Sequence, residues 1–353
     1  MRILNVADFN WMTGAERTTA SLSLFDISHK FSFAATRANH LVVEFSDRAV
    51  ARAGIARTGG FGARWANRRF LQAVDELKPN LILLHFADRI SNASLDEARR
   101  LAPGVVIADI NIDLIDMPKN RRRLALRTGA ADALFVTTAE PSLGAHAGPG
   151  AFAAYLPNPV DPAIETGRAH EKAALPFDLL LPAAGEIPRE VGPLSLTPAE
   201  AVAGLTARAP GLRVAMPGVG GQLRVGGAAY LDALESARMG WALSRRGSLP
   251  LYASDRMAHM FGCGLAVATD ARGGFQRFYS PGEAIFYEDL DGLGAALRRL
   301  LADDAQARAI AGGGWRRTWA LFDSARVLAY VLAQLFDDGG AKDYEWPCER
   351  WGR

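Results

Sequence analysis

Short apolar runs alternate with helical stripes on both sides of a proline-rich stretch. Ile3 to Ala7, Leu41 to Phe45, Leu81 to Leu84, Val105 to Ala108 and Ala133 to Val136 each read as buried strands. Between them, Phe70, Leu71, Val74 and Leu77 form one helical stripe, closed by Lys78-Pro79. Leu95 to Leu101 forms another, ending at Pro103-Gly104. Strands that alternate with helices fold as βαβ units with a parallel sheet. The segment Pro157 to Ala174 is rich in proline and small or polar residues and has no long apolar run, so it reads as a linker. A second α/β series follows. Phe177 to Leu181 is a strand, and Thr197-Pro-Ala-Glu200 predicts a helix start with a threonine cap, Pro in the first turn and a capping-box Glu. Pro210-Gly211 stops that helix, and Leu212 to Met216 is the next strand. Leu290, Leu293, Leu297, Leu300 and Leu301 share one helical face, and the last helix spans roughly Ser324 to Phe336. The polar and aromatic tail after Asp337 finds no place in this pattern.

Composition narrows the functional classes. The 353 residues suffice for two domains, and 49% hydrophobic with 22% charged residues indicates globular cores. The net charge of +2 is small, and arginine clusters such as Arg121 to Arg123 are local, so a nucleic-acid partner is not expected. Cys263 and Cys348 are too few for a disulfide framework, which points to a reducing compartment. The start MRILNVADFN lacks the apolar core of a secretory signal. No apolar run reaches 18 residues, so no transmembrane helix is expected. A cytoplasmic protein follows, with association to a membrane surface left open.

The stretch Ser254 to Glu283 carries the most chemistry. A polar cap at Ser254 and Asp255 opens a helix that places Arg256 in its first turn. A Gly262-Cys263-Gly264 corner follows, then a strand, then Thr269, Asp270 and a loop at Gly273 and Gly274. Arginine at the positive end of a helix dipole is unfavourable unless an anion sits between it and the free amides. A phosphate or diphosphate site is one reading, and an ordinary helix–strand unit with an exposed arginine is the other.

The spacing of Arg256, Cys263, Gly264, Thr269, Asp270, Phe278, Pro281, Gly282 and Glu283 resembles the CgeB-like (spore-protein-type) glycosyltransferases. These are a branch of the group 1 glycosyltransferases, with the GT-B fold. The segment Tyr230 to Ser244, the closing helices up to Arg326 and the hinge-like Leu156-Pro-Asn-Pro-Val-Asp-Pro162 are also similar to that family. The resemblance implies two Rossmann-like domains facing across a cleft. Residues 1–165 would form the acceptor-side domain, 166–325 the nucleotide-sugar domain, and 326–353 a helix and tail returning toward the first. It also implies that position 259 binds ribose. His259 and Leu251 stand where the family and many group 1 enzymes carry acidic residues, and imidazole offers a diol fewer acceptors than carboxylate does.

Ligands of open parallel sheets bind beyond the carboxyl ends of the strands. Asn10, Thr13 and Gly14 lie in the loop after the first strand, which is either the acceptor side or a plain surface loop. His85, with Asp88 and Arg89, follows the third strand, and Asp109, Asn111 and Asp113 follow the fourth. His85 and Asp113 are the preferred pair for base or acceptor orientation, although a lone His near a strand end is more often structural. Gly185 and Arg189, after Phe177 to Leu181, fit a phosphate. The Gly218 to Gly221 cluster lacks the Lys-Ser/Thr ending of a P-loop. The expected donor and nucleotide set is therefore Gly185, Arg189, Arg256, His259, Asp270, Gly273 and Gly274.

The resulting expectation is a glycosyltransferase that moves sugar from a nucleotide-diphosphate donor to a hydroxyl acceptor, with the retention that the resemblance implies, in a setting such as bacterial polysaccharide synthesis. It needs no metal and no cofactor beyond the donor, because Arg256, Arg189 and the Gly273-Gly274 loop neutralise the diphosphate. The alternatives are a GT-B-like binding module without catalysis and a sugar-nucleotide epimerase.

Overall fold

The computed structural model describes residues 1–9, 26–183, 185–337 and 341–352. The chain divides into two compact units. It leaves the first after Pro157, passes through the second from Asn158 to Asp323, and re-enters the first at Ser324.

The first unit opens with β1 (Arg2–Ala7), α1 (Ile27–Arg37), β2 (Leu41–Ser46), α2 (Asp47–Thr58), α3 (Gly62–Leu77) and β3 (Leu81–His85). It continues with α4 (Asn92–Leu101), β4 (Val106–Asn111), α5 (Pro118–Arg127), β5 (Ala133–Val136) and β6 (Phe152–Tyr155). The strands lie in the order β2-β1-β3-β4-β5-β6 and are all parallel. Both faces of such a sheet are covered, so its strands read as continuous apolar runs, and the five residues of β3 are all buried. Helix α3 stops where Lys78 turns left-handed at φ 45° before Pro79, since proline disfavours helical backbone in the residue before it.

The fourth strand is longer than its apolar run predicts. Asp109 and Asn111 belong to β4 and do not lie in the loop beyond it. Asp109 is buried, which pushes its carboxyl up to about 7 against the opposing pull of Arg127. Asn111 exchanges side-chain hydrogen bonds with Asn120 on α5 at 2.8 and 2.9 Å. Polar side chains enter this strand because these partners replace water.

In the second unit, β7 (Phe177–Leu180), β8 (Arg189–Val191), β9 (Leu194–Leu196), α6 (Pro198–Arg208) and β10 (Val214–Ala215) come first. Next are α7 (Ala228–Leu234), β11 (Ala237–Trp241), α8 (Asp255–Gly262), β12 (Ala266–Asp270), β13 (Ile285–Tyr287), α9 (Leu290–Ala302) and α10 (Asp304–Phe322). The main sheet is parallel in the order β10-β7-β11-β12-β13, and β8 and β9 form a separate antiparallel hairpin. Helix α6 starts with the full capping box of Thr197 and Glu200. Leu290, Leu293, Leu297 and Leu300 of α9 pack into the core with Leu179, Met239, Trp241 and Ala266. The chain enters and leaves this unit side by side, with the Val160 N–H donating to the Phe322 carbonyl at 2.8 Å.

The first unit is completed by α11 (Ser324–Phe336) and β14 (Trp351–Gly352). β14 adds to the sheet antiparallel to β6. The tail is thereby placed: Tyr344 and Trp346 stack with centroids 4.7 Å apart, and Trp346 meets Tyr330 of α11 edge-on at 5.4 Å. No helix of the described residues is long and apolar enough to cross a membrane.

Candidate functional site

Strand order locates the site in the second unit. The first main strand, β7, is flanked by β10 and β11, so consecutive connections leave it in opposite directions. A crevice opens at such a switch point beyond the carboxyl ends of the strands. Here those ends are Pro182 after β7 and Leu243 after β11.

Two arginines converge on it. Arg256, second residue of α8, donates from Nη1 to the Pro182 carbonyl at 2.6 Å and from Nη2 to the Leu243 carbonyl at 3.5 Å. Arg189, on β8, donates from Nη1 to the same Leu243 carbonyl at 3.2 Å. Arg189 is buried, and its Nε has no hydrogen-bond partner among the described residues. Among those residues neither arginine meets a carboxylate at ion-pair distance; both are held by neutral carbonyls. Burial, and then the charges of Arg256 and Arg245, push Arg189 down to about 9, so it stays charged at neutral pH. Burial also lowers Arg256, with Arg245 adding to the effect. Two like charges gathered at one switch point are costly without a counter-anion.

The glycines expected around this anion site lie as follows. Gly185, left-handed at φ 81°, donates its N–H to the Gly218 carbonyl at 3.1 Å. This ties the loop after β7 to the glycine cluster after β10. Glu186 reinforces the tie by accepting the Gly220 N–H at 2.6 Å and the Ala199 N–H at 3.0 Å. The Gly273 carbonyl accepts the N–H of Leu251 at 2.8 Å, and Gly274 is left-handed at φ 77°. Leu251, in an acidic position of the resembled enzymes, is itself left-handed at φ 53° and buried.

Two expectations need correction. Asp270 is buried and fully engaged: it accepts two side-chain hydrogen bonds from Arg272, at 2.7 and 3.0 Å, and the Gly192 N–H at 3.2 Å. It fastens the hairpin turn and the loop after β12, and a phosphate facing it would be repelled. His259 is 0% exposed. Its Nδ1 donates to Oε1 of Glu165 at 2.6 Å, while Oε2 of Glu165 accepts the Asp161 N–H at 2.6 Å. The imidazole is therefore an interior group paired with the carboxylate of Glu165, not a residue presented to a ligand. The stretch read as a linker from Pro157 to Ala174 belongs from Asn158 onward to the second unit, with Val160, Asp161 and Glu165 buried in it. Tyr230 packs edge-on against it at 5.6 Å. Sequence reasoning missed Arg245 and Glu165. The Arg245-Arg246 pair directly after the apolar run Met239 to Leu243 was the available signal for the first. Glu165 had none, since its partner lies 94 residues away.

In the first unit the switch point lies between β1 and β3. Arg48 spans it, meeting Asp8 at 3.4 Å and Asp88 at 3.2 Å. Arg123 joins Asp88 at 3.0 Å and Asp113 at 3.1 Å, and it lies 4.5 Å over the Phe86 ring. Phe86 is held left-handed at φ 50°. Strain of this kind persists where surrounding contacts enforce it. His85 and Asp113 both lie at these strand ends, but no hydrogen bond joins them among the described residues. Asp113 is half exposed and ion-paired to Arg123. His85 is buried edge-on against Phe31, and neither ring nitrogen has a hydrogen-bond partner among the described residues. Burial lowers it to about 4, so it is neutral at pH 7. Asn10, Thr13 and Gly14 lie outside the described residues.

Similarity to solved structures runs along nearly the whole chain. A sucrose-phosphate synthase from Thermosynechococcus elongatus superposes with a TM-score of 0.58 at 14% identity, covering 94% of this chain and 97% of that one. Anabaena Alr3699/HepE, solved in complex with UDP-glucose, gives 0.58 at 13% identity over 95% and 100%. AviGT4, a glycosyltransferase involved in avilamycin A biosynthesis, gives 0.58 at 15% identity over 94% and 96%. The fold is GT-B. Within this GT-B chain, residues 197–333 match the family described as glycosyl transferase-like. No curated protein is similar enough in sequence to match. The family match and the GT-B neighbours together support glycosyl transfer in general terms.

Proposed function

We propose that the protein is a cytoplasmic glycosyltransferase of the CgeB-like type that uses a nucleoside-diphosphate sugar and transfers the sugar to a hydroxyl acceptor. The observation that carries this reading is the pair Arg189 and Arg256. Arg189 is buried and Arg256 half-buried at the switch point of the second unit, and among the described residues the hydrogen bonds that hold them go to carbonyls. A diphosphate supplies the missing countercharge. It is also the leaving group, and fixed positive charge aimed at where negative charge develops lowers the barrier. In the transfer, the bond from the anomeric carbon to the diphosphate oxygen breaks and a bond to the acceptor oxygen forms. The acceptor's proton leaves to a base or to the departing diphosphate. His85 and Asp113, at the strand ends of the first unit, are the groups proposed to orient that hydroxyl. Arginines take the role that a divalent ion plays elsewhere, and retention of configuration follows the resembled enzymes.

The nucleotide half of the proposal is tested by calorimetry with UDP, GDP and ADP on the protein and on Arg256→Ala. One lost charge-assisted contact costs ~1.5–3 kcal/mol, so affinity for the preferred nucleotide should fall at least about tenfold with the fold intact. Unchanged affinity would remove the site. Turnover of the matching sugar nucleotide should persist in EDTA; loss of turnover restored by manganese would overturn the metal-free account. A second reading has its own observation. With His259 sealed against Glu165 and Leu251 buried in place of an acid, the chain is a nucleotide-binding module without transfer. Nucleotide binding with no hydrolysis or transfer from any donor would select it.

A further inference from the structure

The α2–α3 hairpin of the first unit is chemically one-sided. Between Asp47 and Asp75 the sequence holds six arginines and no acidic residue. Two of these, Arg48 and Arg52, turn toward Asp8. Arg64 and Arg68 lie on α3 one turn apart and are exposed, and neither forms an ion pair among the described residues. Beside them the hairpin apex exposes two large apolar side chains, Phe61 at 59% and Ile55 at 52%.

The helix junction holds these groups together. The two helices approach so closely at Gly62 that a Cβ there would lie 2.7 Å from Cγ1 of Ile55. Ile55 thereby lies against Gly62, the residue that follows Phe61 in the chain. The Arg64 guanidinium sits 5.2 Å from the Phe61 ring centroid. The first turn of α3 carries no acidic residue and no side-chain cap, so its amide ends also face outward with positive character.

We propose that this apex docks on an anionic lipid bilayer, with Phe61 and Ile55 entering the interface and Arg64 and Arg68 meeting headgroup phosphates. Two exposed apolar groups beside uncompensated arginines match the two-part chemistry of such a surface. A nucleic acid would use the arginines and leave Ile55 exposed to water. The proposal does not depend on what the second unit binds.

The test is co-sedimentation with vesicles of phosphatidylcholine alone and of phosphatidylcholine with phosphatidylglycerol, at low and high salt. The protein should pellet with the anionic vesicles, less so as salt rises. The double variant Arg64→Gln/Arg68→Gln should lower partitioning about tenfold or more. Phe61→Ser should lower it several-fold even at low salt. All three side chains are exposed, so thermal unfolding should stay at the wild-type value and nucleotide affinity should be unchanged. Protein that remains in the supernatant with anionic vesicles at low salt would overturn the proposal. So would partitioning of both variants equal to that of the wild type, or variants that lose affinity for an RNA oligonucleotide while vesicle partitioning is unaltered.

Discussion

His259 shows how one substituted residue changes the meaning of its neighbours. In the resembled enzymes this helix position carries a carboxylate. Here the carboxylate comes from Glu165, buried in the same unit, and the helix supplies the imidazole. The pair is fully interior. Putting the acid back should therefore harm the protein. His259→Glu places two carboxylates where a 2.6 Å hydrogen bond now stands. Breaking a buried pair in this way costs about 3–5 kcal/mol. Two buried carboxylates cannot both ionise cheaply, so the deficit should shrink as pH falls and one of them takes up a proton. Urea unfolding at neutral and acidic pH measures this, and adding Glu165→Gln should recover much of the loss. A variant as stable as wild type at neutral pH would contradict the account. The histidine was legible in the sequence as a departure from a pattern, but its partner was not, because a separation of 94 residues leaves no local mark.

At the scale of elements, the corner between α8 and β12 decides whether Arg256 can be presented at all. Gly264 is left-handed at φ 78°, and a Cβ there would overlap Nδ1 of His170. His170 is in turn stacked on Trp315 of α10 at 5.3 Å. Gly264→Ala meets both the left-handed penalty of about 1–2 kcal/mol and the cost of displacing that ring. A loss of about 2 kcal/mol or more is expected, read as a lower denaturation midpoint with unchanged slope. Little change would mean that the imidazole swings away freely. The sequence announced this corner, since Gly-Cys-Gly after a helical stripe signals a helix stop. The same local logic identified the capping box at Thr197 and Glu200 and the span of α11. It failed where an element is short or held by distant partners. The hairpin of β8 and β9 was not anticipated, nor was the extension of β4 through Asp109 and Asn111. Those residues read as loop by type, and only burial against α5 and Arg127 makes them strand.

For the whole molecule, the chain's return to its first unit is the defining connection. After α10 it re-enters as α11, and the tail then closes over that helix through Tyr344, Trp346 and β14. Trp346 is 1% exposed and stacks on Tyr344, which the Arg326 guanidinium overlies at 5.1 Å. Trp346→Ala should destabilise the first unit by about 3–5 kcal/mol, the usual cost of emptying a buried indole site. Calorimetry should show a fall in melting temperature, and a variant that melts like wild type would mean the tail is dispensable. Nothing in the tail's sequence predicted this role, because its aromatic residues follow neither a helical nor a strand period. The sequence by itself determined the alternation of apolar runs and helical stripes, the caps and the arginine at the head of α8. These follow from interactions within a few residues of each other. The tertiary structure alone decided that Arg189 and Arg256 meet at one carbonyl, that Glu165 seals His259, and that the tail completes the first sheet. Those contacts depend on strand order and chain crossing, which are set by which apolar faces pack together across long stretches of chain.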